Sequence, residues 1–348
     1  MSLPARPLAV TDVAGLDRSA GSFGAALTDA ARLTRPRIAV MVLGTVATSA
    51  WLTAGRQIDG RSLGGVLLGT LLVAASSSVA NQILERRTDS LMARTSGRPI
   101  AAGRIGIREA WWGTVLLLAV GFGLVGVAGG WGAAIVALAT WLIYVVAYTP
   151  LKRTTPLNTA VGAVAGALPV AIGWLAAGGP ARFAAGDAAG AVAVGALGTA
   201  LYLWQFPHFM AIAWLYRGQY ADAGLRMLTV VDPGGLRAAG QALAAALAMV
   251  PVSLLLAVPS SSVPLFLVAA AASVSYVVAT MRFAVRRDDV SARGLLLVSL
   301  AALVALLTGA VLCGAPAAAG VPPAFPVTMA PRAADTVLLP TGSADIIP

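Results

Sequence analysis

Residues 63–105 read LGGVLLGTLLVAASSSVANQILERRTDSLMARTSGRPIAAGRI. The stretch from 63 to 84 carries no charged side chain, and about 20 apolar residues suffice to cross a hydrocarbon core about 30 Å thick. From Glu85 onward acids and arginines crowd the chain, so the stretch is a membrane span followed by a charged exit. Eight further apolar segments lie at 37–55, 110–128, 131–149, 157–178, 189–215, 236–257, 263–283 and 293–314. They predict an all-α polytopic membrane protein, a bundle of nine transmembrane helices. Over 348 residues, 58% are hydrophobic and 11% charged, with a mean hydropathy of +0.84, which excludes a soluble, disordered or collagenous chain. One cysteine, Cys313, excludes a disulfide framework and a cysteine-built metal centre. The net charge of +10 would suggest nucleic acid in a soluble protein. Here the arginines are spread between apolar runs, so they read as topology determinants and anion binders, with no nucleic-acid partner.

Residues 1–30 lack the short apolar core and cleavage site of a signal peptide and read as a cytoplasmic tail with an interfacial helix. Residues 31–315 form the nine-helix domain. Residues 316–348, rich in Pro, Ala and Thr, read as a flexible C-terminal tail. Of the 24 basic residues, 20 fall in the N-terminal arm and in the loops after spans two, four, six and eight, leaving Arg56, Arg61, Arg182 and Arg332 for the other face. The positive-inside rule then puts the N-terminus in the cytoplasm and, after nine spans, the C-terminus outside.

In the charged exit, Asn81, Glu85 and Asp89 stand at i, i+4 and i+8. On a helix each step of four turns a side chain by about 40° and lifts it about 6 Å, so the three line one face. A row of oxygen donors suits a hard cation. Mg²⁺ prefers one or two carboxylates, with waters and substrate phosphates completing its shell, so this face can present a metal-bridged diphosphate. Arg94 and Arg98, also four apart and followed by Pro99, can add charge-assisted hydrogen bonds to the same diphosphate. The plainer alternative is a helix exit whose acids and arginines are solvated or paired with one another. Acids close to a membrane core are costly, which weighs toward function.

Three other stretches carry polar groups. Lys152, the only lysine, and Arg153 follow Pro150 and serve either as topology markers or as anion ligands. In the next span Gly162 and Gly166 offer a small-residue surface to another helix or a flat ligand, and Pro169 is expected to bend it. Span 189–215 holds Trp204, Gln205, Pro207 and His208, the only histidine. Pro207 has no N–H for the carbonyl of Leu203 and should kink the helix. His208 is then either a structural residue bonded to that carbonyl or an imidazole facing a ligand. Arg217, Gln219, Tyr220 and Asp222 make a second polar cluster beyond this span, equally readable as a solvated loop.

Taken together, N-Q-x-x-E-x-x-x-D-x-x-M-x-R-T-x-x-R-P over 81–99, Y-T-P-L-K-R with N-T and G-A-L-P over 148–169, and W-Q-F-P-H-F over 204–209 resemble a known family. It is that of the protohaem IX farnesyltransferases, or haem O synthases, of the UbiA-type intramembrane prenyltransferase superfamily. The resemblance runs from about residue 30 to 315 and implies a UbiA-like bundle with a central cavity. It implies transfer of the farnesyl group of farnesyl diphosphate to a vinyl group of protohaem IX, with addition of water, giving haem O and diphosphate. Asn81, Glu85 and Asp89 would hold the cofactor Mg²⁺ as the catalytic set. Arg94, Arg98, Lys152 and Arg153 would hold diphosphate or the haem propionates, and Trp204 and His208 would meet the haem. The second motif departs from the family pattern R-E-D-Y: Arg217, Gly218, Gln219 and Tyr220 lack both acids, and Asp222 stands three residues on to compensate. The resemblance also implies the inner (cytoplasmic) membrane, a lipid surround, and haem A synthase or terminal-oxidase assembly as partners. Two rivals differ in kind. A UbiA-type enzyme with a quinone or chlorin acceptor has no evident need for W-Q-F-P-H-F. A secondary transporter would place its binding groups near the midplane, whereas these clusters sit at one membrane face.

The charge asymmetry makes a direct prediction. Reporter fusions joined after Gly103 should report the cytoplasm and those joined after Gly129 the outside; the reverse pattern would overturn the orientation.

Overall fold

The computed structural model describes residues 23–314. The expected tail 316–348 and the first 22 residues of the expected N-terminal tail lie outside that range. The described chain begins with helix α1 (Phe23–Thr34). Pro36 disfavours a right-handed helical conformation in the residue before it, and Arg35 breaks the helix with a left-handed φ of 51°. Pro36 then occupies the first turn of the next helix, where its missing N–H costs nothing. Nine long helices follow: α2 (Pro36–Ala54), α3 (Gly60–Asp89), α4 (Ile107–Gly129), α5 (Trp131–Leu151), α6 (Asn158–Ala176), α7 (Ala188–Leu215), α8 (Leu236–Leu255), α9 (Val263–Arg286) and α10 (Asp289–Cys313). Among the described residues these nine are long and apolar enough to cross a membrane, and they match the expected spans. The ends differ where polar residues extend a helix. α3 continues past its apolar run to Asp89, and α10 starts at Asp289 because the Asp288 carboxylate caps it, accepting the Ser291 N–H at 2.7 Å.

Consecutive spans pack side by side, with α3 on α4, α7 on α8, α8 on α9 and α9 on α10. The bundle closes through pairs distant in sequence, α2 with α6, α7 with α10 and α2 with α10. Hydroxyls supply the polar ties between apolar faces: Ser49 Oγ donates to the Val170 carbonyl at 2.6 Å and Ser76 Oγ to the Thr114 carbonyl at 2.8 Å. Each such bond adds about 0.6 kcal/mol inside a membrane protein. Small residues allow a close crossing of α3 on α4. A Cβ on Gly69 of α3 would sit 2.8 Å from the Gly121 carbonyl oxygen of α4, and one on Gly121 would sit 2.8 Å from the Gly69 oxygen.

Three irregular segments surround the centre of the bundle. α5 widens into a π-helical turn over Ile143–Tyr148, just before Pro150. α6 breaks at Leu168, ahead of Pro169, as expected. α7 runs unbroken through Pro207, so the expected kink does not interrupt it. The Tyr276 hydroxyl of α9 donates to the carbonyl of Trp204 at 2.6 Å, one residue on from the Leu203 carbonyl that Pro207 leaves without its helical donor. The small-residue face of α6 meets the α2 backbone at Gly173, where an added Cβ would overlap the Val46 carbonyl oxygen, and receives side chains at Gly162 and Gly166. A Cβ on Gly162 would lie 2.8 Å from the Tyr148 ring, and one on Gly166 would overlap the Gln205 amide.

The α3–α4 crossing generates a stability prediction. Gly69→Val should lower stability by about 1–3 kcal/mol through overpacking, whereas Gly123→Ala, whose added Cβ meets nothing within 4 Å, should change it by less than about 0.5 kcal/mol. Thermal unfolding in detergent compares the two.

Candidate active site

Between α2, α3, α5, α6, α7 and α10 lies a cavity of about 570 Å³. Its charged mouth is at the end of α3. The helix ends as the sequence spacing requires, with Glu85 and Asp89 one turn apart on the inward face, 8% and 1% exposed. Both acids are answered by cations from other segments. Lys152 Nζ lies 2.7 Å from Glu85 Oε1, and Arg98 Nη1 lies 2.6 Å from Asp89 Oδ2 and 3.9 Å from Glu85 Oε2. The paired reading of the acids therefore holds in this state. One oxygen stands apart: Asp89 Oδ1 is buried and has no hydrogen-bond partner among the described residues. Asn81, fully buried beside the pair, accepts from Arg35 Nη2 at 3.1 Å and donates to Thr149 Oγ1 at 3.1 Å.

Burial would by itself lower the Lys152 pKa, but the Glu85 carboxylate and the Tyr148 and Tyr144 rings hold it above the ordinary lysine value. Arg98 moves the other way. Burial and the Arg35 charge pull it below the ordinary arginine value, against the opposing effect of Asp89 and Glu85. Both groups remain cationic at neutral pH, so the mouth concentrates positive charge around two carboxylates. The π-helical turn brings Tyr144 and Tyr148 together, ring centroids 5.3 Å apart, and places the Tyr148 ring 4.4 Å from Lys152 Nζ.

Glu85, Asp89, Arg94, Arg98, Lys152, Trp204, His208 and Tyr220 all line this one cavity. Arg94 joins the mouth to the second polar cluster. Its N–H donates to Gln219 Oε1 at 3.2 Å, its Nη2 to Tyr220 Oη at 3.3 Å, and its guanidinium lies 4.8 Å from the Tyr216 ring centroid. Five expected site residues are outside the cavity lining: Asn81, whose amide is spent on Arg35 and Thr149, and four others. Arg153 is exposed and donates to the Leu84 carbonyl at 3.2 Å, because adjacent residues leaving a helix point apart. Arg217 bridges α7 to α10 through the Trp214 carbonyl and Asp289, at 2.6 and 2.9 Å. Gln219 spends its oxygen on the Arg94 backbone. Asp222 is exposed and outside the cavity lining. Sequence reading missed Arg35, which reads as a topology marker; the Arg-Pro step at the first span was the available signal.

Residues 42–303 match the model of the UbiA prenyltransferase family. The chain is 39% identical to a protohaem IX farnesyltransferase of Rhodopirellula baltica over 79% of this chain and 96% of that one. The chain belongs to the protohaem IX farnesyltransferase branch of the UbiA prenyltransferase family. Solved structures share its fold at low identity. A digeranylgeranylglyceryl phosphate synthase matches with a TM-score of 0.66 at 17% identity, covering 82% of this chain and 98% of that one. A UbiA homologue from Archaeoglobus fulgidus, bound to GPP and Mg²⁺, matches with a TM-score of 0.58 at 17% identity over 81% and 99%.

Because Glu85 is buried against Lys152, Lys152→Met should destabilise the protein by about 3 kcal/mol, leaving a buried charge unanswered. Adding Glu85→Gln to that variant should recover most of the loss. Denaturant unfolding of the single and double variants in detergent measures the difference.

Proposed function

We propose that the chain transfers the farnesyl group of farnesyl diphosphate to a vinyl group of protohaem IX, with addition of water, giving haem O and diphosphate. The observation that carries this reading is a single cavity with two unlike ends. Carboxylates and cations crowd its mouth, while Val73, Ala137, Ile172, Trp204, Phe209 and Leu303 line its apolar body. A diphosphate with a long isoprenoid tail has the same polarity, and a porphyrin offers a flat apolar face with charged propionates at one edge.

Asn81, Glu85 and Asp89 fit Mg²⁺, since all offer hard oxygen donors and the buried Asp89 Oδ1 is an acceptor with no protein donor among the described residues. A bound Mg²⁺ supplies charge neutralisation for the departing diphosphate. The chain's own cations do the rest at the mouth. Arg98 and Lys152, held by the acids in this state, can turn their hydrogen bonds to phosphate oxygens, and Arg35 and Arg94 lie at the same opening. As the C1–O bond of the farnesyl group breaks, these fixed donors stabilise the charge that builds on the leaving oxygens. C1 bonds to the terminal vinyl carbon. The cation left on the carbon beside the porphyrin ring takes the oxygen of water and releases a proton.

The charge asymmetry supports a mouth on the cytoplasmic face of the inner membrane, with the N-terminus inside and the C-terminus outside. Residues 31–315 are the working unit, flanked by two tails, and haem O passes to haem A synthase or terminal-oxidase assembly.

Purified protein given protohaem, farnesyl diphosphate and Mg²⁺ should make haem O, identified by chromatography and mass, and chelation of the metal should stop it. Asp89→Asn and Glu85→Gln should each lower turnover by about 10²–10³-fold, while Asp222→Asn should leave both turnover and Mg²⁺ dependence unchanged. No haem O from the unaltered chain, or full turnover in Asp89→Asn, would overturn the assignment.

A further inference from the structure

His208 lines the cavity from α7, inside the apolar body rather than at the charged mouth. Its ring is held from two sides. Nδ1 lies 2.8 Å from Ser299 Oγ of α10, and the ring stacks on Trp204 with centroids 4.6 Å apart and planes 23° from parallel. Trp204 is fixed in turn, since its Nε1–H donates to the Ser299 carbonyl at 2.7 Å. One residue of α10 therefore positions both rings.

The Ser299 hydroxyl also lies 2.6 Å from the Leu296 carbonyl oxygen, and a hydroxyl has one proton to give. Were that proton given to His208 Nδ1, Oγ and the carbonyl oxygen would face each other at 2.6 Å with no hydrogen between them. Given to Leu296, it satisfies both contacts, because Nδ1–H then donates to the Oγ lone pair. Ser299 is fully buried, so bulk water does not compete for either bond. The imidazole proton is thus on Nδ1, and the lone pair is on Nε2. Among the described residues, the ring hydrogen-bonds only to Ser299.

We propose that His208 Nε2 is the axial ligand to the iron of the porphyrin acceptor, and that Ser299 is the positioning residue that holds the imidazole in the ligating tautomer. The proposal rests on the acceptor being an iron porphyrin, as argued above. Its logic is that of metal-bound histidines generally, whose second ring nitrogen donates to an oxygen that fixes tautomer and orientation. It also separates iron from propionate. A neutral imidazole whose one N–H is spent on Ser299 has no proton to offer a carboxylate. The propionates therefore fall to cations, and Arg35, Arg37, Arg94, Arg98 and Lys152 all line the mouth.

The test titrates the full chain in detergent with ferric protohaem and, separately, with iron-free protoporphyrin IX, following absorption and fluorescence. The unaltered chain should bind both and give the Soret band of a histidine-ligated haem. In His208→Ala that band should be lost and haem affinity should fall, with protoporphyrin affinity unchanged; in His208→Gly, added imidazole should restore the band. Ser299→Ala should lower haem affinity by about tenfold and shift the band, and Ser299→Thr, which keeps the hydroxyl, should recover it. An unchanged band and haem affinity in His208→Ala would overturn the proposal, as would an equal loss for haem and protoporphyrin, which marks a packing role. Failure of the unaltered chain to bind either porphyrin would instead overturn the acceptor reading on which the proposal rests.

Discussion

Two carboxylates taken out of water at the end of α3 constrain the rest of this molecule. A buried acid without a partner is costly in a soluble core and more so beside a membrane. Glu85 and Asp89 are stabilised by Lys152, which follows α5, and by Arg98, which lies in the loop after α3. Those two cations hold that loop and the exit of α5 to the cavity mouth. Further ties reach α1, where Arg104 grips the Asp29 carboxylate with two bonds of 2.8 Å and Gln82 donates to the final carbonyls at Arg32 and Leu33. Arg104 holds the Asp29 carboxyl below the usual carboxylate range. This end of the bundle is therefore organised around charge balance at one point.

That balance bears on chemistry as well as stability. Cations already fixed by protein acids need little reorganisation to meet a phosphate, so much of the ordering cost is met by folding. Gln219 contributes architecture, accepting the Arg94 N–H and holding the loop against the helix Arg217–Asp222.

The depth of the cavity follows a different logic. There most groups are aromatic or aliphatic, and two polar side chains are satisfied by backbone carbonyls: Gln205 donates to those of Ala163 and Leu201, and Trp204 to that of Ser299. One residue on from the Leu203 carbonyl that Pro207 leaves without its helical donor, the Trp204 carbonyl accepts from the Tyr276 hydroxyl of α9. In a medium without water every such group needs a protein partner; among the cavity-lining residues described, Asp89 Oδ1 and Thr70 Oγ1 are buried without one, and the His208 ring is bonded through Nδ1 alone.

The nine spans and the shared face of Asn81, Glu85 and Asp89 were legible in the sequence because they depend on local rules, hydropathy over about 20 residues and the helical repeat. So was the cluster around His208, a rare residue type in an apolar run. The partners of these residues were not legible. Lys152 and Arg153 are neighbours in sequence, yet one enters the cavity and the other caps Leu84 on the outside, a choice made by how α5 leaves the membrane through its π-helical turn. Asp222 has the right charge at the wrong place. Ser299 is an ordinary serine in an apolar helix until α10 packs on α7, and Arg35 reads as a topology marker until the left-handed step before Pro36 turns it toward Asn81. Local periodicity decides which side chains share a helix face; which faces meet across the bundle is decided only by packing between segments far apart in sequence, such as Trp204 and Ser299, 95 residues apart.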